Sequence, residues 1–163
     1  MALQQKDKEL VAIGASIGAG CSPCLEHHIP AGRNAGLTEP QLSRAIEVAE
    51  DSHRVAVELL SRRSRELLHE VEPSTRTPLA TRPASRADEL VALGTSVGTN
   101  CHLLLRQHIS GALGRGLEVG QVRSAVKMAE IVQNHAAEIT AKKAASIIEA
   151  TGQEPATVGQ PPT

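Results

Sequence analysis

Residues 9–28 read ELVAIGASIGAGCSPCLEHH, and residues 89–108 read ELVALGTSVGTNCHLLLRQH. A shift of 80 residues superimposes the two stretches, and the register then continues without a gap. Gly14, Ser16, Gly18, Cys21 and His28 meet Gly94, Ser96, Gly98, Cys101 and His108, and further on Gly36, Gln41, Ala49 and Glu58 meet Gly116, Gln121, Ala129 and Glu138. From Glu9 to Glu58, 19 of 50 positions are identical. Chance does not produce this, and the chain reads as a tandem duplication.

Each copy reads as three helices, which makes the expected fold all-α: a tandem duplication of a three-helix unit. The first helix is expected from about Lys6 to Ile17, where Leu10, Ala12, Ile13 and Ile17 recur at helical spacing, and Gly18 to Gly20 end it. The second opens near Ser22, a candidate N-cap followed by Pro23 at the first helical position, and runs through Ala35 to the stop at Gly36. Thr38 and Gln41 then match a capping box, and the third helix runs to about His69 with an apolar stripe that includes Leu42, Ala45, Ala49, Ala56 and Leu59. The pairs Gly14/Gly18 and Gly94/Gly98 lack the flanking strand and Lys-Ser/Thr of a phosphate loop, so close helix packing is the better account. No run alternates at period two, and no sheet is expected. The organisation predicted is a first unit over 1–70, a linker rich in Pro, Ser, Thr and Arg over 71–86, a second unit over 87–150, and a disordered Pro- and Gln-containing tail over 151–163.

Composition narrows the function. Seventeen Lys and Arg face eighteen Asp and Glu, and the chain contains no Phe, Tyr or Trp. A nucleic-acid partner usually needs a basic face or aromatic stacking platforms, so none is expected. The core must come from Leu, Ile, Val, Ala and Met, which bury less area per side chain than aromatic rings; an extensive subunit interface is expected in compensation. The longest apolar runs fall short of the roughly 18 residues of a membrane span, and Met1 to Glu9 is too polar for a secretory signal. Three cysteines do not make a secreted disulfide framework, and a close pair in a cytoplasmic chain reads as redox or metal chemistry.

The chemistry gathers around that pair. Cys21 and Cys24 stand three apart at a helix start and therefore share a face, and His28 lies one turn beyond Cys24. Helix N-terminal amides favour the thiolate, the reactive form of cysteine. An imidazole can serve it as general base, and Glu9 on the preceding helix can orient His28. Nucleophile, base and orienter are the parts of an activated nucleophile. Zinc is the rival for Cys21, Cys24, His27 and His28, but on one helix His27 points about 100° away from His28. No metal and no cofactor are expected. His27 reads as a surface or pocket-rim residue; Arg62, Arg63 and Arg65 as a solvated face; His53 and His135, which do not align with each other, receive no role.

Glu9, eleven residues, Cys21-x-x-Cys24, three residues and His28, followed by Gly36-Leu37-Thr38, resemble the pattern of the alkyl hydroperoxidase D-like proteins of the carboxymuconolactone decarboxylase superfamily. The resemblance spans roughly 9–58 and 89–138. It implies an all-helical fold, homo-oligomers such as trimers or hexamers, and reduction of a peroxide or disulfide by the dithiol with electrons from a thiol or dithiol donor. Residue by residue, Cys24 matches the peroxide-attacking cysteine, Cys21 the resolving cysteine, and Glu9 and His28 members of the proton relay. Two departures stand out. Pro23 occupies the place of a histidine that directly precedes the attacking cysteine in the better-known peroxidase, and the intact motif lies in the first copy. In the second copy Leu104 replaces the second cysteine, so Cys101 reads as a buried free thiol and that copy as a packing half. Two alternatives of other classes are a lyase like the decarboxylating branch of the superfamily, which does not rely on a dithiol, and a non-catalytic redox-sensing or assembly protein.

Overall fold

The computed structural model describes residues 2–71 and 83–152. Six helices follow in order: α1 (Gln5–Gly18), α2 (Ser22–Asn34), α3 (Glu39–Leu67), α4 (Arg86–Gly98), α5 (His102–Gly114) and α6 (Val119–Gly152). Among the described residues there is no strand. Residues 72–82 of the expected linker and 153–163 of the expected tail lie outside the described residues. The end of the linker is structured: Ser85 caps α4, its side chain accepting from the Asp88 N–H, and Arg86 is the first helical residue.

Helices α1 and α4 form the centre. Every residue from Glu9 to Ser16 and from Asp88 to Gly98 is buried, because α1 packs on α2, α3, α4 and α6 while α4 packs on α1, α3, α5 and α6. The buried hydroxyls are tolerated there because each bonds back to its own helix: Ser16 donates to the Ala12 carbonyl, Ser96 to that of Ala92, and Thr95 to that of Val91. Helices α3 and α6 are longer and lie outside this pair, with buried residues such as Leu42, Ala45, Ala49 and Ala56 on one face of α3.

Glycine sets the distance between α1 and α4. A Cβ on Gly14 would stand 2.1 Å from the Val91 carbonyl oxygen, and one on Gly94 would stand 2.1 Å from that of Val11. One turn on, Gly18 faces the Thr95 carbonyl at 2.6 Å and Gly98 that of Ala15 at 2.5 Å. The two backbones therefore touch along four glycines. Small side chains elsewhere on these helices complete a dense contact without any aromatic ring.

The turns follow local chemistry. At the end of α1 Gly20 adopts φ +64°, and the Cys21 N–H reaches back to the Ser16 carbonyl, a helix end that requires a left-handed residue. Asn100 makes the same turn after α4 with φ +54°, as asparagine is able to do. Before α3 the Thr38 N–H donates to Gln41 Oε1 at 2.9 Å, and before α6 the Glu118 N–H donates to Gln121 Oε1 at 3.1 Å. The N-cap of α2 is Cys21 rather than the expected Ser22, which moves Pro23 to the second helical position.

Two ion pairs tie α4 to the N-terminal helices. Arg86 grips Asp7 with both terminal nitrogens, each at 3.0 Å. Arg44 of α3 donates to Asp88 at 3.0 Å, and the same carboxylate accepts from the Ala84 N–H and the Ser85 hydroxyl. Burial opposes ionisation of Asp88, but Arg44, Ala84 and Ser85 together outweigh it and hold its carboxyl below the usual range.

Two outcomes are expected. Glycine to alanine inside a helix ordinarily stabilises by about 0.5–1 kcal/mol. At Gly14 or Gly94 the added methyl meets backbone, and overpacking dominates: each alanine variant should lose about 2 kcal/mol or more in urea unfolding. Gly120→Ala, with nothing within 4 Å of its Cβ position, should be neutral or slightly stabilising; a stable Gly14→Ala protein would contradict the close crossing. Because the folded-state pKa of Asp88 is depressed, its contribution is present above the unfolded carboxylate value of about 3.9 and is lost as pH falls below it. Asp88→Asn should therefore show a shallower fall of unfolding free energy below about pH 4 than the wild type.

Candidate active site

Cys21 and Cys24 meet at the start of α2, joined as a disulfide across Cα atoms 5.3 Å apart. Their spacing comes directly from the helix start, since a cap residue and the third helical residue lie side by side. The same geometry puts the Cys24 N–H 3.2 Å from Cys21 Sγ, so the sulfur takes the place that a serine or aspartate oxygen fills in an ordinary N-cap. Both cysteines are buried.

His28, one turn beyond Cys24, is held from α1. Its Nδ1 lies 2.9 Å from Glu9 Oε2, and the other oxygen of Glu9 accepts from Gln5 Nε2 at 2.6 Å. An ionised carboxylate only accepts, so His28 donates through Nδ1 and its Nε2 remains as the second functional position of the ring. Glu9 is buried to within 5 % of its side-chain surface and His28 to within 12 %. A buried carboxylate that accepts two hydrogen bonds is the rigid orienter that a working imidazole needs.

A cavity of about 270 Å³ opens beside these groups. Pro23, Cys24, His27 and His28 form its α2 wall. Met128, Ile131, Val132 and His135 of α6 form the opposite wall. Cys24 lines this cavity and Cys21 does not. His27 is exposed at the rim, its ring 4.8 Å from that of His28 in an edge-to-face arrangement. All four residues expected in the site thus meet: Cys21, Cys24 and His28 on α2, and Glu9 on α1. His135, assigned no role from the sequence, lies in the same cavity. The signal available for it was its alignment with Val55, a histidine on an apolar stripe.

The equivalent place in the C-terminal half holds a similar pair in a different setting. His108 Nδ1 lies 3.0 Å from Glu89 Oε2, and Arg115 Nε reaches Glu89 Oε1 at 3.4 Å. Leu104 occupies the position of Cys24, and Cys101 is a buried free thiol. Val55, Ala56 and Leu59 of α3 close over Cys101 and Leu104. His108 is 1 % exposed, and its Nε2 is buried with no hydrogen-bond partner. No solvent reaches this second imidazole.

Metal binding draws no support from the geometry. With Cys21 and Cys24 bonded to each other, neither offers a thiolate, and among the described residues no cluster of three or more His, Cys, Asp or Glu is placed to hold an ion. No helix among those residues is long and apolar enough to cross a membrane.

The model of the carboxymuconolactone decarboxylase family matches residues 2–68, the stretch that holds α1, α2 and α3 and with them the disulfide, His28 and Glu9. This supports the superfamily resemblance for the N-terminal half. No curated protein and no solved structure matches the chain.

Proposed function

We propose that this protein is a dithiol oxidoreductase of the alkyl hydroperoxidase D-like type, a tandem duplication of a three-helix unit that reduces peroxides through a Cys21/Cys24 cycle. The reading rests on one observation: a disulfide at a helix N-terminus shares a solvent-open cavity with an imidazole braced by a buried carboxylate. The family match over the N-terminal half supports the superfamily. The duplication is supported by equivalent roles 80 residues apart, with Gly14 and Gly94 at the crossing and Glu9–His28 and Glu89–His108 as paired acid and imidazole.

In the reduced enzyme His28 Nε2 takes the proton of Cys24, and Glu9 stabilises the imidazolium through Nδ1. The Cys24 thiolate attacks the terminal peroxide oxygen. The S–O bond forms as the O–O bond breaks, the sulfur loses two electrons to become a sulfenic acid, and the alcohol leaves. The Cys21 thiolate, its proton given to solvent, then displaces hydroxide from that sulfenic acid; the hydroxide takes the proton held on His28 and departs as water, and the disulfide is made. Reduction runs through the same opening. A thiolate of an external dithiol attacks Cys24, the sulfur that lines the cavity, and Cys21 leaves. Its Sγ, accepting the Cys24 N–H, is the better-stabilised leaving thiolate. The donor's second thiol then releases Cys24. A reducing compartment such as the cytoplasm supplies such donors.

The copies of the chain assemble in this reading as a trimer or hexamer. Residues 140–150 of α6 are exposed all round, with Ile147 and Ile148 at 54 % and 71 %, and Leu60, Leu67 and Leu68 are exposed on α3. A small aromatic-free chain gains most by covering such side chains against a second copy.

Stopped-flow oxidation by an organic hydroperoxide tests the chemistry. Cys24→Ser should abolish the fast phase; Cys21→Ser should retain it and stop at a sulfenic acid trapped by dimedone. Fast oxidation of Cys24→Ser would overturn the assignment of the attacking sulfur. Sedimentation velocity at low micromolar concentration should give a trimer or hexamer, and a stable monomer would overturn the assembly.

A further inference from the structure

The residue facing the dithiol from the other half of the chain differs between the two sites. Val55 of α3 and His135 of α6 are equivalent in the 80-residue register. Val55 is buried against Cys101 and Leu104, where no second thiol exists. His135 is exposed and lines the cavity that holds Cys24. It follows Met128, Ile131 and Val132 at helical spacing on the face of α6 turned to α2. An apolar seal thus stands over the site that lacks the dithiol, and an imidazole over the site that has it.

We propose that His135 is the general acid that protonates the leaving oxygen when Cys24 attacks a peroxide, so that the α4–α6 half supplies a catalytic residue to the site of the α1–α3 half. This assignment rests on the dithiol peroxidase reading above. His28, held by Glu9 at Nδ1, takes the Cys24 proton from the α2 wall of the cavity, and His135 offers a second imidazole from the α6 wall. Attack by the thiolate forms the S–O bond and breaks the O–O bond, and the electron pair of that bond goes to an alkoxide. An alkoxide is a poor leaving group unless a proton reaches it as the bond breaks. His135 lines the α6 wall of the cavity and Cys24 the α2 wall, and imidazole is a side chain suited to proton transfer near neutral pH. The imidazolium proton passes to the alkoxide, the alcohol leaves, and solvent restores the proton at the cavity mouth.

Leaving-group dependence tests this. The rate of Cys24 oxidation is measured by stopped flow for the reduced wild type, His135→Gln and His135→Val, once with tert-butyl hydroperoxide and once with peracetic acid. The first oxidant expels an alkoxide; the second expels acetate, which leaves without a proton. Both variants should oxidise about 100-fold more slowly with the hydroperoxide, the low end of what a positioned general acid contributes, and within about twofold of wild type with the peracid. Equal slowing with both oxidants would make His135 a shape residue and overturn the assignment, as would no slowing with either. A wild type inert to both oxidants would overturn the peroxidase reading and this assignment with it. Thermal melts of the variants, in which an exposed side chain is replaced, should match the wild type.

Discussion

The contact between the α1 and α4 backbones governs the rest of the molecule. Four glycines let two helices approach until the Cα of one lies against the carbonyl of the other, and this contact replaces the aromatic packing that the composition denies. Dispersion between close-packed atoms falls off steeply with distance, so a chain of small side chains gains cohesion by bringing backbones together. The crossing has a consequence for chemistry. It buries α1 on all sides, and with it Glu9, which must then find partners in Gln5 and His28. A carboxylate at the same place on an outer helix would be solvated and would not hold an imidazole in one orientation.

The two halves share that device and diverge at its cover. Glu89 holds His108 as Glu9 holds His28, yet the first of these imidazoles is sealed by α3 and left with an unpartnered nitrogen, while the other opens to a cavity. An unpartnered buried nitrogen costs roughly 1–3 kcal/mol. The C-terminal half carries that cost in a pair with no dithiol beside it, Cys101 being its one thiol. Leu104, fully buried where the N-terminal half has Cys24, turns a reactive helix start into part of the hydrophobic core.

Much of this architecture was legible in the sequence because it is local or repeats. The 80-residue register located six helices, Gly14 and Gly18 were readable as packing glycines, and the Gln41 side chain turned back to the cap before α3 as its spacing indicates. The meeting of Glu9 with His28 was readable from helical spacing on two consecutive helices. What escaped was decided by tertiary placement. Amphipathic periodicity describes a helix with one covered face, and α1 has neighbours on every side. Ser22 has the better capping side chain, but the backbone turn after Gly20 puts Cys21 in the capping position. His135 is separated from Cys24 by more than a hundred residues, and only the placement of α2 and α6 on either side of one cavity brings the two together.

The position of Cys21 resolves a tension in the chemistry of the pair. A helix cap favours thiolate on Cys21, which would ordinarily mark it as the attacking sulfur. Access favours Cys24, which lines the cavity with His28 while Cys21 does not. In the proposed peroxidase cycle the two preferences are compatible. Attack on a peroxide needs a sulfur that the oxidant can reach and a base beside it, and Cys24 has both. Closing the disulfide needs a ready nucleophile at fixed distance, and reopening it needs a good leaving group. In that cycle a sulfur held by an amide at 3.2 Å serves both steps, since an N–H donated to sulfur favours its anion. Under that proposal one backbone N–H separates the roles of two chemically identical side chains.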